Sequence, residues 1–348
     1  MSVAGLKTLP YVCPACRAPV ARESVAYCCA ACGRSYPILC GIADFRLAPD
    51  RYLSLGAERA KAAYLHRYAK DHSFAQTVGE YYRITDDVPP GMARRYAGYV
   101  LSGEARGETM LHRLVPEAVS LQVVQPLLDA GCGAGGLVVA AARAGHRVCG
   151  LDIALRWLVI AAKRLEEEGL TADLVCADIA HPPFGDATFG AVAAVDLFEH
   201  LPDGFASAAS IQRLLRTGGR VLATGANRHT LASHPVAGLW GVGFLPAAMR
   251  TRYVILRRGS DTLRHMTLLS PGALQGLFAR AGFDRMRLDA MAVPSVRGRP
   301  GLRRLAVTCY RCMRSTPILN RLLLRIGPVF ELTAHKLVDQ ISDQRNAM

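Results

Sequence analysis

The sequence is poor in acidic residues: it contains 28 Asp and Glu against 42 Lys and Arg, which gives a formal net charge of +14. The shortage is uneven, because residues 250–348 contain 18 Arg and Lys but only six Asp and Glu. The basic character of the protein therefore belongs to the C-terminal part of the chain.

The chain also lacks the marks of a secreted or repetitive protein. Its first residues, 1–7, contain no apolar secretory core, and no internal repeat or low-complexity tract occurs. Eleven cysteines is an odd count. We expect a cytoplasmic protein in a reducing compartment, where cysteines bind metal or stay free. With 348 residues and 51% hydrophobic composition, one large domain with attachments is expected.

A glycine-dense stretch near the middle of the chain carries the clearest functional signal. The apolar run at 123–128 predicts a buried strand, Asp129 follows it, and residues 131–136 form a turn into a predicted helix at 137–142. Glycines let a backbone turn sharply and approach a ligand closely at the carboxyl end of a parallel strand. The stretch therefore predicts a ligand site.

The same glycines also match a dinucleotide-binding pattern. Gly131, Gly133 and Gly136 have the required spacing, and Asp152 lies at about the right distance downstream. Asp129 argues against that ligand, because a carboxylate beside the turn would repel a pyrophosphate. It suits a ligand that carries an ammonium and a sulfonium, such as S-adenosylmethionine.

The next predicted strands also carry acidic residues at their ends. We expect Asp152 to accept hydrogen bonds from ribose hydroxyls and Asp178 to accept one from an adenine amino group. Asp196 is placed to orient the cofactor or the acceptor. The predicted strands are residues 147–152, 172–179, 189–196 and a fifth that starts after the glycines at 218–219.

Over residues 120–226 the chain resembles the class I S-adenosylmethionine-dependent methyltransferases, because five motifs occur in that family's order. The resemblance implies an α/β fold: a doubly wound, mostly parallel, Rossmann-like sheet of seven strands, here within residues 121–348. It also implies a cofactor bound over the ends of the first two strands. The predicted cofactor-binding residues are Asp129, Gly131, Cys132, Gly133, Gly135, Asp152, Ile153, Asp178, Ile179 and Asp196.

Two CxxC pairs near the N-terminus predict a metal site. Cys13 and Cys16 form the first pair, and Cys29 and Cys32 form the second. Each pair places two thiolates on one tight turn, and four thiolates complete the closed tetrahedral coordination of structural zinc. Cys28 is an alternative to Cys29 as the third ligand.

The residues after the second pair add a resemblance. Residues 32–45 resemble the zinc-ribbon family that includes the small activator subunit of tRNA- and protein-methylating enzymes, and that also occurs fused ahead of bacterial methyltransferases. We therefore predict a zinc ribbon over residues 1–46. The resemblance implies a role in stability or docking and not in catalysis.

Residues 47–120 are predicted to form a mostly helical linker or cap. In the methyltransferase family such a segment covers the cofactor and touches the acceptor. Some of its tyrosines are therefore expected to line the pocket and the others to pack in the core. These tyrosines are Tyr64, Tyr68, Tyr81, Tyr82, Tyr96 and Tyr99.

The first of two predicted insertions, residues 227–268, follows the fifth strand. It has no formally charged residue between Arg228 and Arg250. That length matches a membrane span, but its prolines and glycines argue against one. We predict a hydrophobic lid that touches a greasy acceptor or a membrane surface.

The second predicted insertion, residues 294–328, lies between a strand at 283–290 and a last strand at 329–336. It is predicted to form one or two basic helices. Arginines beside leucines favour the surface of an anionic membrane. The alternative is a solvated outer face whose leucines pack on the sheet. The arginines are Arg303, Arg304, Arg311, Arg314, Arg321 and Arg325.

Methyl transfer to a hydroxyl or an activated carbon requires an acceptor held in line and a base that removes its proton. His200, just after the fourth strand, is the first candidate for this base. Asp196 is a further candidate catalytic residue, and His234 and His229 in the lid are second choices. Residues 199–201 resemble quinone-pathway and related small-molecule methyltransferases. That resemblance implies a small or lipid-like acceptor, methylated at oxygen or carbon.

Two other functions are compatible with the sequence. RNA is the alternative acceptor, because a zinc ribbon also precedes this fold in a ribosomal RNA guanine methyltransferase and the C-terminal charge suits phosphates. Against RNA, residues 195–198 lack the Asn/Asp-Pro-Pro-aromatic signature that holds a flipped base amine, so nucleic acid is the less favoured partner. The last alternative is a non-catalytic scaffold that binds the cofactor and docks a partner through the zinc ribbon.

Overall fold

The structure is a computed structural model that describes residues 9–116, 126–293 and 301–337. Eleven strands lie within these ranges: β1 (Ala21–Arg22), β2 (Ala26–Cys28), β3 (Ser35–Leu39), β4 (Ile42–Asp44), β5 (Leu127–Ala130), β6 (Val148–Asp152), β7 (Asp173–Cys176), β8 (Phe189–Ala194), β9 (Leu215–Ala226), β10 (Phe283–Ala290) and β11 (Val329–Lys336). They form one continuous sheet in the order β1-β2-β3-β4-β7-β6-β5-β8-β9-β11-β10.

Helices cover both faces of the sheet and form the two insertions. Single 3₁₀ turns occur at Phe198–His200 and Val242–Phe244. The α-helices in the described ranges are α1 (Leu55–Ala69), α2 (Phe74–Arg83), α3 (Pro90–Leu101), α4 (Gly103–Leu114), α5 (Gly136–Arg143), α6 (Leu155–Glu167), α7 (Gly204–Leu214), α8 (Ala247–Arg258), α9 (Pro271–Arg280), α10 (Leu302–Ser315) and α11 (Pro317–Ile326). None of these described helices combines the length and the apolar character needed to cross a bilayer.

The central part of the sheet confirms the predicted Rossmann-like fold. Strand β5 pairs in parallel with β6 on one side and β8 on the other, while β11 runs antiparallel to both β9 and β10. The chain runs from β5 outward through β6 to β7 on one side and returns to β8 and β9 on the other, so the strand order reverses at β5. The carboxyl end of such a strand is the switch point where these sheets bind ligands. The predicted strands 283–290 and 329–336 have these bounds in the structure.

The predicted count of seven strands is wrong for the sheet as a whole, because the N-terminal segment extends it. Strand β4 pairs in parallel with β7, with Ala43 opposite Val175 and Asp44 opposite Cys176. The backbone N–H of Phe45 continues the ladder by donating to the carbonyl oxygen of Cys176 at 2.7 Å. The four short N-terminal strands thus join the edge of the sheet.

An aromatic cluster fastens this N-terminal segment to the main core. Phe45 is fully buried, and its ring centroid lies 4.9 Å from that of Tyr11 and 5.0 Å from that of Tyr36. Tyr11 also contacts Phe184, at 5.7 Å, in the loop that precedes β8. Because buried aromatic pairs contribute both apolar area and defined geometry, the segment is fixed relative to the sheet.

Residues 47–116 are mostly helical, and a buried ion-pair network holds their first part against the sheet. Arg156, on α6, forms ion pairs with Glu58, on α1, and with Asp50 in the segment before it, the latter at 2.8 Å. The backbone N–H of Arg156 also donates to Glu58 at 2.9 Å. All three side chains are almost fully buried, so the network fixes the position of residues 50–58 over the sheet.

The second insertion begins in residues 294–300, which lie outside the described residues, as does the side chain of Arg303. Its described part is a hairpin of the helices α10 and α11, followed by β11. Among the six predicted surface arginines, Arg314 is an exception. Its guanidinium donates to the buried carboxylate of Glu331 at 2.8 Å, and Arg113 forms a second ion pair with the same carboxylate.

Removal of Arg156 should destabilise the fold, because two buried carboxylates would lose their counter-charge. For Arg156→Met we expect the free energy of unfolding, measured by urea denaturation, to fall by about 3–5 kcal/mol. Arg143→Met is the matched control, because Arg143 also forms ion pairs but its side chain is 40% exposed to solvent. The control should lose less than about 1 kcal/mol. Equal losses in the two variants would contradict the structural role assigned to the buried network.

Candidate functional site

The glycine turn after β5 is joined to the end of β6 by a carboxylate. Gly131, Gly133 and Gly135 all have positive φ angles, of 74°, 50° and 73°, which glycine adopts without strain. The N–H of Gly133 donates to one oxygen of Asp152 at 2.8 Å, and the N–H of Ala154 donates to the other at 2.8 Å. The Asp152 carboxylate is therefore held at a defined place beside the turn.

The space around the turn shows which side is open to a ligand. A Cβ atom on Gly131 would lie 2.8 Å from Leu197, and one on Gly135 would lie 3.0 Å from Ala161. Nothing lies within 4 Å of the Cβ position of Gly133. The backbone is thus closely packed at the two outer glycines and open at Gly133.

Two acids, the buried Asp129 and the partly exposed Asp152, give the turn its electrostatic character. Asp129 is 3% exposed, and burial, with a smaller effect of the Asp152 charge, raises its pKa to about 7. Burial also raises the pKa of Asp152. A nearby positive charge would favour both carboxylates and lower these pKa values. The site therefore suits a cationic ligand, and the ammonium of S-adenosylmethionine fits it.

The other predicted cofactor residues follow the carboxyl ends of neighbouring strands. Cys132 is buried in the turn, Ile153 follows β6, and Asp178 and Ile179 follow β7. One oxygen of Asp178 accepts the N–H of Ala180 at 2.9 Å. Parallel neighbours β5, β6 and β7 end at the same edge of the sheet, so the fold brings these residues to one edge.

Asp196, after β8, is held in a strained conformation by two neighbours. Its φ angle is +50°, which is uncommon for a residue with a side chain. Thr224 on β9 donates to one carboxylate oxygen at 2.9 Å, and the Tyr99 hydroxyl donates to the other at 2.6 Å. Tyr99 thus reaches the site from α3. Tyr64, by contrast, donates to Glu80 within the helical segment.

His200 contacts a residue that the sequence analysis missed. Its Nδ1 atom lies 3.0 Å from the hydroxyl oxygen of Tyr52, whose ring also packs edge-on against His265 at 5.5 Å. Burial lowers the pKa of His200, and the charge of Asp196 opposes this only in part, so the imidazole is neutral at pH 7. No local pattern marks Tyr52, which lies 148 residues away in the segment before α1.

Glu199 is a second residue whose role the sequence analysis missed. Its side chain is 4% exposed, and its Oε2 atom has no hydrogen-bond partner among the described residues. Burial, with a smaller effect of the Asp196 charge, raises the pKa of Glu199 to about 8. At neutral pH this side chain therefore keeps its proton beside Asp196.

His234 does not join these residues. It is 0% exposed inside the lid, and burial, together with the charges of Arg250 and Arg95, lowers its pKa to about 4. Its Nδ1 accepts from the backbone N–H of Ala237 at 3.5 Å. This burial argues against the predicted role as a base, because an acceptor cannot reach the ring in this conformation. The structure places His234 in the packing of the lid.

The four predicted metal-binding cysteines come together. The Sγ atoms of Cys13, Cys16, Cys29 and Cys32 all lie within 4.8 Å of one another. The Cys13–Cys32 distance is 3.6 Å, and the Cys16–Cys29 distance is 3.5 Å. A zinc tetrathiolate with 2.3 Å bonds has sulfur–sulfur edges of about 3.8 Å, so the donor set fits zinc.

The structure also distinguishes the two possible third ligands. Cys28 is not part of the sulfur cluster, and its Sγ atom lies 3.6 Å from the hydroxyl oxygen of Ser35. On the other side of the cluster, the Tyr36 hydroxyl lies 3.0 Å from the Cys13 sulfur. The geometry thus favours Cys29 over Cys28, with Tyr36 as a hydrogen-bonding neighbour of the thiolates.

Comparison with known proteins identifies the central segment. Residues 128–223 match the family model described as a methyltransferase domain. The ubiquinone biosynthesis O-methyltransferase of Thiobacillus denitrificans is 29% identical over 170 residues, which cover 47% of this chain and 67% of that protein. Its namesake from Methylocella silvestris is 39% identical over 111 residues, which cover 32% and 43%.

Solved structures match at a lower level. Phosphoethanolamine N-methyltransferase 2 of Haemonchus contortus, in complex with S-adenosylmethionine, is 19% identical, with a TM-score of 0.44. The superposition covers 67% of this chain and 52% of that one. A similarity of this size carries no argument about function. The matched family segment, in contrast, contains the glycine turn and every acid described above at this edge of the sheet.

The raised pKa of Asp129 predicts a pH-dependent ligand affinity. Below its folded-state pKa of about 7 the group is protonated and cannot pair with an ammonium, so affinity for S-adenosylhomocysteine should rise as the pH rises through this value. Calorimetric titrations between about pH 6 and pH 8 measure the effect. Asp129→Asn should bind weakly, without this rise. The control is Asp186→Asn, at an exposed position, and this variant should keep the rise in affinity with pH. A flat profile for the unmodified protein would exclude Asp129 as the ammonium partner.

The cysteine cluster predicts about one zinc ion per chain, measured by elemental analysis after purification under reducing conditions without chelator. Cys29→Ser should lose most of this zinc, because a closed site needs all four thiolates. Cys28→Ser is the matched control and should retain it. Loss of zinc from Cys28→Ser, together with retention of zinc in Cys29→Ser, would identify Cys28 and not Cys29 as the third zinc ligand.

Proposed function

We propose that this chain is a class I S-adenosylmethionine-dependent methyltransferase that methylates a hydroxyl oxygen of a small, apolar acceptor. The observation that carries the proposal is the pairing of His200 with Tyr52, at 3.0 Å, just beyond the end of β8. The names of the similar proteins, which are O-methyltransferases of ubiquinone biosynthesis, support an oxygen acceptor.

The acids at the strand ends are the residues that we assign to the cofactor. When bound, S-adenosylmethionine supplies an electrophilic methyl group. Asp129 provides the charge for the ammonium. Each oxygen of Asp152 accepts one backbone N–H and keeps a free lone pair for a ribose hydroxyl. One oxygen of Asp178 accepts the N–H of Ala180, and we assign the other, which lies 3.8 Å from Nδ1 of His181, to the adenine amino group.

His200 is the residue that we assign to proton removal. Its pKa is lowered by burial, so the ring is neutral and able to accept a proton. For Nε2 to be the accepting atom, the ring proton must sit on Nδ1 and be donated to the Tyr52 oxygen. Tyr52 is therefore a positioning residue that selects the tautomer of His200.

The carboxyl groups near His200 limit the negative charge of the site. Asp196 is already engaged by Thr224 and Tyr99. Glu199 keeps its proton at neutral pH, because burial raises its pKa. An acceptor oxygen that loses its proton here thus meets one carboxylate rather than two, which reduces the repulsion it feels.

The lid supports an apolar acceptor. A groove of about 640 Å³ in the lid is lined by Leu231, Trp240, Gly241, Phe244, Leu245, Met249 and Tyr253. The end of the lid also adjoins the site, because Thr267 donates its N–H to the carbonyl oxygen of Glu199 at 2.7 Å. A groove without a charged lining residue favours an acceptor with a hydrocarbon part over RNA.

The cysteine cluster supports a structural zinc ion in the N-terminal segment. A closed set of four thiolates leaves no open coordination position for substrate. We therefore assign the ion to the stability of the four short strands that extend the sheet, and no step of methyl transfer to it.

Substitutions at the His200–Tyr52 pair test the proposal with a water-soluble phenol that carries a short alkyl chain. His200→Gln should lower kcat by about 10²–10⁴-fold, because the base is lost, with little change in cofactor affinity. Tyr52→Phe should lower kcat by about tenfold and shift the lower limb of its pH profile, because the ring loses its orienting partner. Tyr68→Phe, whose ring stacks on His72 at 3.7 Å, is the control. Near-normal turnover by folded His200→Gln would overturn the assignment.

A further inference from the structure

The outer face of α11 combines apolar and cationic side chains. Ile318 is 76% exposed and Leu322 is 44% exposed, and Arg321 and Arg325 are exposed beside them. These four residues have the spacing i, i+3, i+4 and i+7, which places them on one face of a helix. Removing the exposed isoleucine and leucine from water would be favourable, and the arginines would attract negative charge. This face is therefore suited to a partner that is both apolar and anionic.

The neighbouring helix α10 repeats the pattern. Leu305 is 60% exposed, and Arg304 and Arg311 are exposed on either side of it along the helix. The chain contains no Asp or Glu between Asp289 and Glu331. The hairpin of α10 and α11 therefore presents positive charge that no acidic residue within it offsets.

Hydrogen bonds to the sheet fix which face of the hairpin points outward. On α11, Asn320 donates to Asp289 at 2.9 Å and accepts from the N–H of Ala290 at 3.0 Å. On α10, Arg314 donates to the carbonyl oxygen of Ala290 at 2.6 Å, and the Tyr310 hydroxyl donates to that of Met291 at 2.9 Å. The apolar outer residues cannot turn inward without breaking these bonds.

The hairpin adjoins the mouth of the lid groove. Asn227 donates to the carbonyl oxygen of Leu324 at 3.0 Å, and the N–H of Leu231 donates to that of Ile326 at 2.9 Å. Leu231 lines the groove and is 52% exposed. Other groove residues are also well exposed, including Trp240 at 64% and Met249 at 58%. The end of α11 and the groove thus meet at Leu231.

We propose that the outer face of α10 and α11, together with the mouth of the lid groove, docks on the surface of an anionic lipid bilayer. This inference rests on the proposed function, since docking would let an apolar acceptor pass from the bilayer into the groove. Short helices with arginine beside leucine and isoleucine suit the boundary between headgroups and acyl chains. RNA would use the arginines but would leave the exposed Ile318, Leu322 and Trp240 without a partner.

Vesicle flotation with the full chain tests the docking surface. We expect binding to vesicles of phosphatidylcholine with one-third phosphatidylglycerol, and at least about tenfold weaker binding to phosphatidylcholine alone. Binding to the anionic vesicles should fall as salt is added. Arg321→Glu/Arg325→Glu should weaken it by about tenfold or more. Ile318→Ser/Leu322→Ser should weaken it without changing the net charge, which separates insertion from electrostatic attraction.

The matched control is Arg22→Glu/Arg67→Glu, which makes the same change in net charge near the opposite edge of the sheet and should leave vesicle binding unchanged. Methylation of the water-soluble phenol should persist in all of these variants, so loss of docking is distinguishable from failure of the proposed function. Equal binding to both kinds of vesicle would overturn the proposal. So would no vesicle binding, or arginine-dependent binding to structured RNA with no effect of Ile318→Ser/Leu322→Ser.

Discussion

The hydrogen bond between the Gly133 N–H and the Asp152 carboxylate joins the ends of two parallel strands, and the arrangement of the site depends on it. It requires β5 and β6 to be neighbours in register and a turn that only glycine forms without strain. Once that turn is in place, α5 begins at Gly136, and the acids Asp129 and Asp152 lie at the neighbouring strand ends. The geometry of this one loop thus determines where the two acidic side chains of the site lie.

Residues from outside the matched segment complete this edge of the sheet. Tyr52 and Tyr99 come from the N-terminal half of the chain and reach His200 and Asp196 respectively. The buried network around Arg156 explains the position of Tyr52, because it fixes the segment on either side of that residue over the sheet. The ion pairs that hold this segment also position Tyr52 beside His200. The stability of the segment and the candidate chemistry are therefore linked.

The sheet separates two attachments with different physical character. The cysteine cluster and its four short strands extend the edge beyond β7, whereas the basic hairpin packs on β10 and β11 at the opposite edge. The first attachment is held by aromatic packing and contains the four clustered cysteines. The second is held by buried carboxylates, chiefly Glu331 and Asp289, and keeps Ile318, Arg321, Leu322 and Arg325 outward. The lid groove lies next to the second.

Local patterns in the sequence determined the glycine turn, the strand-end acids, the two CxxC pairs and the strands at 283–290 and 329–336, because each depends on residues that are close along the chain. Tertiary structure decided the rest. The pairing of β4 with β7, which makes eleven strands instead of seven, has no local signal. Nor do the contact between Tyr52 and His200, the burial of His234 or the inward turn of Arg314 toward Glu331. Each of these depends on segments far apart in sequence, whose approach is set by packing of the whole core.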